Sequence, residues 1–205
     1  LIEIKSEAVI SILIKFIEYD SYIGNKAADV LGEIKSEAAI PGLIQLLKHE
    51  KSFIGYRAAD VLGKIKSEAA IPGLIQLLKY ENSFVGDIAA YALGKIKSEA
   101  VIPGLIKFLE HKNSDVRSRA GFVLGEIKSE AAIPGLIQLL EHKNSDVRSR
   151  AIYALGEIKS EAAITGLIKL LKHEELSVCK RAAYALGKIK SEAAIPELIQ
   201  LLEHE

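Results

Sequence analysis

The chain has 205 residues, 49% of them apolar, which is ample material for a buried core. Lys and Arg (27) balance Asp and Glu (27), so bulk charge steers it to neither nucleic acid nor an anionic membrane surface. The one cysteine, Cys179, excludes an internal disulfide and fits a reducing compartment such as the cytoplasm, and neither a membrane-spanning apolar run nor a signal-peptide pattern is present.

The opening Leu1-Ile2-Glu3-Ile4-Lys5-Ser6-Glu7 aligns with Leu31-Gly32-Glu33-Ile34-Lys35-Ser36-Glu37. The chain thus begins in the tail of a helix, and at Glu203-His204-Glu205 it stops halfway through a unit. Without methionine or polar end caps, it reads as a segment of a longer protein whose open apolar ends favour self-association. Gly32 recurs as Gly63, Gly94, Gly125, Gly156 and Gly187, always 31 residues on. The run Ser-Glu-Ala-Ala-Ile-Pro-Gly-Leu-Ile-Gln-Leu-Leu is identical from Ser36, Ser67 and Ser129. The first spacing is one residue shorter, at the turn after Asp20. Such a fixed period means stacked supersecondary units. The expectation is an all-α solenoid, a superhelix of about six and a half two-helix repeats. It forms a single array over 1–205, with units near 5–34, 35–65, 66–96, 97–127, 128–158 and 159–189 and a half unit at 190–205.

Within a unit, Ile40, Leu43, Ile44 and Leu47 mark the buried stripe of a first helix, with Gln45 and Lys48 opposite. Ser36 is suited to cap it, Glu37 suits the positive end of its dipole, and Pro41, about five residues inside, is expected to bend its first turn. The second helix is predicted from Ser52 to Ile65, burying Ile54, Ala58, Val61, Leu62 and Ile65, with Gly63 and the following Lys-Ser pair ending it. Ser11 and Thr165 replace the proline and Ile12 and Glu197 the next glycine, as tolerated drift.

Units reading Asp-Val-Arg-x-x-Ala-x-x-x-Leu-Gly-x-Ile, then Ala-x-Ile-Pro-x-Leu-Ile-x-Leu-Leu, resemble the short HEAT-like repeats, also called PBS-lyase HEAT-like repeats. The resemblance covers nearly the whole chain and implies the fold. For function it implies several classes, since the family includes scaffolds, inhibitors, lyase subunits and sensor domains. It also implies that second helices line the concave side and that an arginine ladder joins repeats. Arginine stands at Arg117 and Arg148 of that ladder, but Gly24, Gly55, Gly86 and Cys179 take its place elsewhere.

First helices hardly vary along the chain, whereas second helices vary at the positions of Tyr22, Asn25, Lys26, Asp29 and Glu33, which share one helical face. An aromatic row (Tyr91, Phe122, Tyr153, Tyr184) beside an arginine row (Arg119, Arg150, Arg181) suits partner hot spots better than neutral drift. The candidate partner-binding residues are Tyr56, Arg57, Asp60, Asp87, Ile88, Tyr91, Ser118, Arg119, Phe122, Ser149, Arg150, Tyr153, Lys180, Arg181 and Tyr184. In the first three repeats an aromatic-x-Gly start (Tyr22-Ile23-Gly24, Phe53-Ile54-Gly55, Phe84-Val85-Gly86) is either local compensation for the glycine or an apolar ridge for a partner or second copy.

Chemistry finds little support. His49, His111, His142, His173 and His204 share one repeat position, filled elsewhere by Tyr19 and Tyr80, which suggests a packing or turn role. HEAT-like deoxyhypusine hydroxylases carry iron-binding His-Glu pairs on the second helix, but His49-Glu50, His173-Glu174 and His204-Glu205 lie outside it. Cys179 is expected to be inert despite Lys180 and Arg181 beside it. On the variable face nine basic residues meet eight acidic ones, which is no nucleic-acid footprint. No cofactor and no metal is expected. The reading is a non-catalytic protein–protein interaction scaffold. The alternatives are a bilin lyase or isomerase subunit of phycobilisome assembly, which the resemblance implies, and a sensor or regulatory region of a multidomain protein.

Overall fold

The computed structural model describes residues 7–19, 22–80, 83–196 and 198–199. Two compact units divide the chain, residues 1–100 and 101–205. Unit one holds α1 (Glu7–Ile17), α2 (Tyr22–Ile34), α3 (Ile40–Leu46), α4 (Ser52–Ile65), α5 (Ile71–Leu78) and α6 (Ser83–Ile96). Unit two holds α7 (Ile102–Leu109), α8 (Ser114–Ile127), α9 (Ile133–Gln138), α10 (Ser145–Ile158), α11 (Ile164–Lys169) and α12 (Leu176–Ile189). In each unit an odd-numbered helix packs against the even-numbered helix after it, and the even-numbered helices pack side by side. The result is an all-α solenoid of about six paired-helix repeats. No described helix is long and apolar enough to cross a membrane.

The second helices follow the apolar spacing. Ile54, Ala58, Val61, Leu62 and Ile65 of α4 are all buried, together with Gly55, Ala59 and Gly63. In α3, Ile40, Leu43 and Leu46 are buried, as is the following Leu47, but Ile44 is only partly covered because it points at the next repeat. There it meets Gly73, where an added Cβ would lie 2.6 Å from the Ile44 Cδ1. Ile14 meets Gly42 in the same way, and in unit two Ile106 and Ile137 meet Gly135 and Gly166.

The first helices differ from expectation at their start. A 3₁₀ turn over Glu37–Ala39 precedes an α-helix that begins at Ile40, so Pro41 occupies the first turn. A proline there removes an N–H that has no intrahelical acceptor, and it neither bends nor weakens the helix. Where Ser11 and Ile12 replace Pro-Gly, α1 runs unbroken for 11 residues. Thr165 nevertheless keeps the 3₁₀ entry at Glu161–Ala163, so proline alone does not set it. Glu197 lies outside the described residues.

Serine does two jobs at this junction. The Ser67 Oγ accepts from the Ala69 N–H at 3.1 Å and donates to Glu37 Oε1 of the preceding repeat at 2.5 Å. Ser98 donates likewise to Glu68, and in unit two Ser160 donates to Glu130 and Ser191 to Glu161. Ser36 makes no side-chain cap bond, which corrects its expected role.

The second helices end on lysine rather than glycine. Lys66 adopts φ 53°, and its N–H bonds the Leu62 carbonyl. Lys35, Lys97, Lys128, Lys159 and Lys190 repeat this left-handed stop, a conformation that strains a side chain with a Cβ. Gly63 sits inside the helix instead, because an added Cβ would come within 2.5 Å of the Lys95 Cβ on α6. Gly32 against Lys64, Gly125 against Glu157 and Gly156 against Ala185 are further close approaches between neighbouring second helices.

Candidate functional site

The variable second-helix face is only partly open. In unit one, Tyr56 and Asp60 of α4 and Asp87 of α6 are exposed. The half-buried Tyr91 donates its hydroxyl to Asp60 Oδ1 at 2.9 Å, and the Lys95 ammonium lies 5.1 Å from the ring centre of Tyr91. The Tyr56 ring meets Phe84 and Tyr91 edge-on, each at 5.9 Å. Ile88, expected on this face, is 0% exposed, and the side chain fills the space above Gly55. Arg119 of unit two is 4% exposed, which likewise corrects its expected place in an open row. The physical reason is the helix rotation. This position lies at the edge of the face, turned toward the preceding second helix, as Ile88 against Gly55 and Arg150 against Gly121 show; along the arginine row Arg119 is buried, Arg150 half-buried and Arg181 exposed.

Unit two opens further. Phe122 and Ser118 are half-buried, Lys180 and Arg181 are exposed, and Tyr153 and Tyr184 are 43% and 67% exposed. Between α10 and α12 lies a cavity of about 240 Å³. Ser149, Arg150, Tyr153, Arg181 and Tyr184 line it, joined by Asp146, Ile152, Gly156, Glu157, Ala185 and Lys188. The last six were not among the candidates, although Asp146, Glu157 and Lys188 vary between repeats on the same helices and carried the signal. Lys188 pairs with Glu157 and lies 5.9 Å and 5.3 Å from the ring centres of Tyr153 and Tyr184. Its hydrogen bond to Glu157 raises the Lys188 pKa above the usual lysine value. Burial, followed by the Glu157 charge, raises that of Tyr153, so the phenol holds its proton.

The arginine ladder exists in two forms. Arg117 Nη1 donates to the His111 and Lys112 carbonyls at 2.7 Å and 3.0 Å, and its Nε to Asp146 of the next repeat at 2.6 Å. Arg148 Nη1 reaches the His142 and Lys143 carbonyls likewise, but it is Nη2 that donates to Glu175. Gly24 has no side chain to do this. There Arg57, from the following repeat, enters the vacated space and donates to the Tyr19 and Ile17 carbonyls at 2.9 Å and 3.2 Å. Its Nε also donates to Asn25 at 2.6 Å. Arg57 is therefore engaged within the array, with its guanidinium 4.9 Å from the Phe53 ring centre. At Cys179 the thiol takes the arginine's place and donates to the His173 carbonyl at 3.0 Å.

The histidines serve the turn. Nδ1 of His49, His111, His142 and His173 accepts the backbone N–H two residues on, at 3.0 to 3.1 Å. His204 lies outside the described residues. Among the described residues no three His, Cys, Asp or Glu side chains converge to hold a metal ion.

Helical hairpins joined by matched contacts from one repeat to the next define an α-helical repeat protein. The chain belongs to the HEAT repeat family: the model for HEAT repeats matches residues 54–120, 102–185 and 133–205, and that for the PBS lyase HEAT-like repeat matches residues 25–49. No curated protein matches the chain. Among solved structures it is similar to the complex of CpcE and CpcF of phycocyanin lyase from Nostoc sp. PCC7120, with 26% identity, 92% of this chain and 79% of that one covered, and a TM-score of 0.49. An engineered protein shares 26% identity over 88% of this chain and 96% of its own, with a TM-score of 0.43. Human deoxyhypusine hydroxylase shares 20% identity over 88% and 84%, with a TM-score of 0.45. The expectation of a non-enzyme is corrected here. Residues 25–49 match a repeat that bears the name of the PBS lyase, so membership in this repeat family does not exclude an enzyme.

Proposed function

We propose that the chain captures a protein partner on the open portion of its second-helix face. HEAT-type repeat arrays form scaffolds capable of protein–protein interaction. The observation that carries the finer reading is the cavity of unit two, where Tyr153 and Tyr184 stand exposed beside Arg150 and Arg181 on helices fixed by Arg148 and the Gly156 contact. Rigid anchors of this composition reduce the ordering cost of binding. The test is a photo-crosslinking residue placed at Tyr56 or Tyr184, against the same residue at Gln76 or Gln138 on the first helices. Adducts with a defined partner are expected from the first pair only, and equal adducts from both pairs would refute the reading.

A second reading has a specific observation in its favour. The match of residues 25–49 to the PBS lyase HEAT-like repeat supports a subunit of a bilin lyase. The phycocyanin lyase structure is itself a complex of two chains, so this role and partner capture are compatible. Mixing the chain with a bilin and an apo-phycobiliprotein tests it through the visible spectrum. A band shift supports the lyase reading, and an unchanged spectrum with and without a second repeat chain removes it.

A further inference from the structure

The cavity between α10 and α12 holds more hydrogen-bond donors than acceptors. Asp146 already accepts from Arg117 Nε at 2.6 Å and lies 3.4 Å from Arg150 Nε. Glu157 is engaged by Lys188. The Ser149 hydroxyl accepts from Arg181 and donates to the Ser145 carbonyl. Asp146, Glu157 and Ser149 are thus each already engaged as acceptors within the fold. Facing them are the remaining guanidinium N–H groups of Arg150 and Arg181 and two phenol hydroxyls without a hydrogen-bond partner among the described residues. Arg150, Arg181 and Lys188 outnumber Asp146 and Glu157, and Arg117 further neutralises Asp146. A guanidinium fork selects a planar, two-oxygen anion. The volume, about 240 Å³, lies below the roughly 300–1,000 Å³ of clefts that enclose a whole small molecule. A single side chain fits it, and the apolar floor of Ile152, Gly156 and Ala185 suits the methylenes that precede a carboxylate.

We infer that this cavity is a subsite for the carboxylate side chain of an acidic segment of the partner protein, held between Arg150 and Arg181 and flanked by Tyr153 and Tyr184. The inference rests on the partner-capture reading and supplies its chemistry. Its reach is limited to one segment, because a carboxylate here requires an aspartate or glutamate with small or apolar neighbours that can lie along α10 and α12.

Fluorescence anisotropy of the full chain with a fluorescein-labelled Gly-Ser-Glu-Leu-Glu-Ser-Gly peptide, at low and physiological salt, tests the inference. Its Gln and Lys counterparts, and inorganic phosphate as competitor, complete the set. The Glu peptide is expected to bind, weaken with salt, and lose about 10-fold or more in affinity on R150Q with R181Q. R150K with R181K is expected to recover part of the loss, which a merely unfolded variant could not show. K143Q with K172Q, which removes two charges outside the cavity, is expected to change nothing. Equal binding of Glu and Gln peptides, or equal loss from R150Q with R181Q and from K143Q with K172Q, overturns the carboxylate subsite. Displacement by millimolar phosphate as strong as by free peptide would also overturn it, in favour of a general anion site. If the peptide fails while crosslinking at Tyr184 persists, the subsite falls and partner capture stands; if crosslinking fails too, both fall.

Discussion

Lys159 is held at φ 59° to close α10, its N–H bonding the Leu155 carbonyl. Left-handed backbone costs an ordinary residue roughly 1–2 kcal/mol, partly offset in glycine by the greater freedom of the unfolded chain. Lys159→Gly is therefore expected to stabilise the protein by up to about 1 kcal/mol, read from the urea midpoint at constant slope. Nearby, Tyr153 and Lys188 both have pKa values raised above 10.0 and 10.5 in the fold. A raised folded-state pKa means the unfolded chain loses that proton first. The associated stability is fully present below pH 10 and declines as pH climbs through the folded-state values. Melting temperature should fall above pH 10, and Tyr153→Phe should make that fall shallower. Absorbance titration should show a tyrosine ionising above pH 10 that Tyr153→Phe removes. None of these three residues announces its state in the sequence. A lysine after a helix looks like a solvated charge, and the Glu157–Lys188 pair joins residues 31 apart that only the stacking brings together.

The hairpin was readable because apolar spacing and repeat period agree, and neither depends on distant contacts. Ile54, Ala58, Val61, Leu62 and Ile65 needed only the 3.6-residue rule. The 3₁₀ entry was not readable, because Ser-Glu-Ala-Ala suits a continuous helix by propensity. The turn at Ser67 is fixed by a bond to Glu37 of another repeat. The open face was legible in part. Tyr153 and Tyr184 lie exposed where the 100° step puts them, whereas Ile88 and Arg119 are buried, and Arg181, at the same repeat position, is exposed on the last described second helix. Glycine marks the same seam from the other side. Gly63→Ala puts a Cβ 2.5 Å from the Lys95 Cβ, both close to backbone and unable to swing away. A loss of about 1–3 kcal/mol is expected from denaturant unfolding. Gly187→Ala, with nothing within 4 Å among the described residues, should instead gain a few tenths to about 1 kcal/mol from helix propensity.

The side-chain bonds described above reach no farther along the chain than the 40 residues from Arg57 to the Ile17 carbonyl. Stability in such an array is a sum of local terms joined by nearest-neighbour terms. Gly156→Ala should accordingly speed amide hydrogen exchange in α10 and α12 while leaving α2 and α4 at their original rates, followed by mass spectrometry of peptides from each. An equal increase in α2 and α4 would mean that the array melts as one body. The period made this locality foreseeable. That the chain divides near residue 100 was not, since the repeat runs through that point without a change in spacing.

The guanidinium that satisfies the turn carbonyls comes from the same repeat at Arg117 and from the following one at Arg57. Recombination that excised the stretch carrying Arg57 would strip Tyr19 and Ile17 of their donor, while excision beside Arg117 would leave its carbonyls served. Crossover points are thus unequal along this gene. What evolution can copy or delete freely is the segment between two self-sufficient turns, and at the Gly24 turn two neighbours must be inherited together.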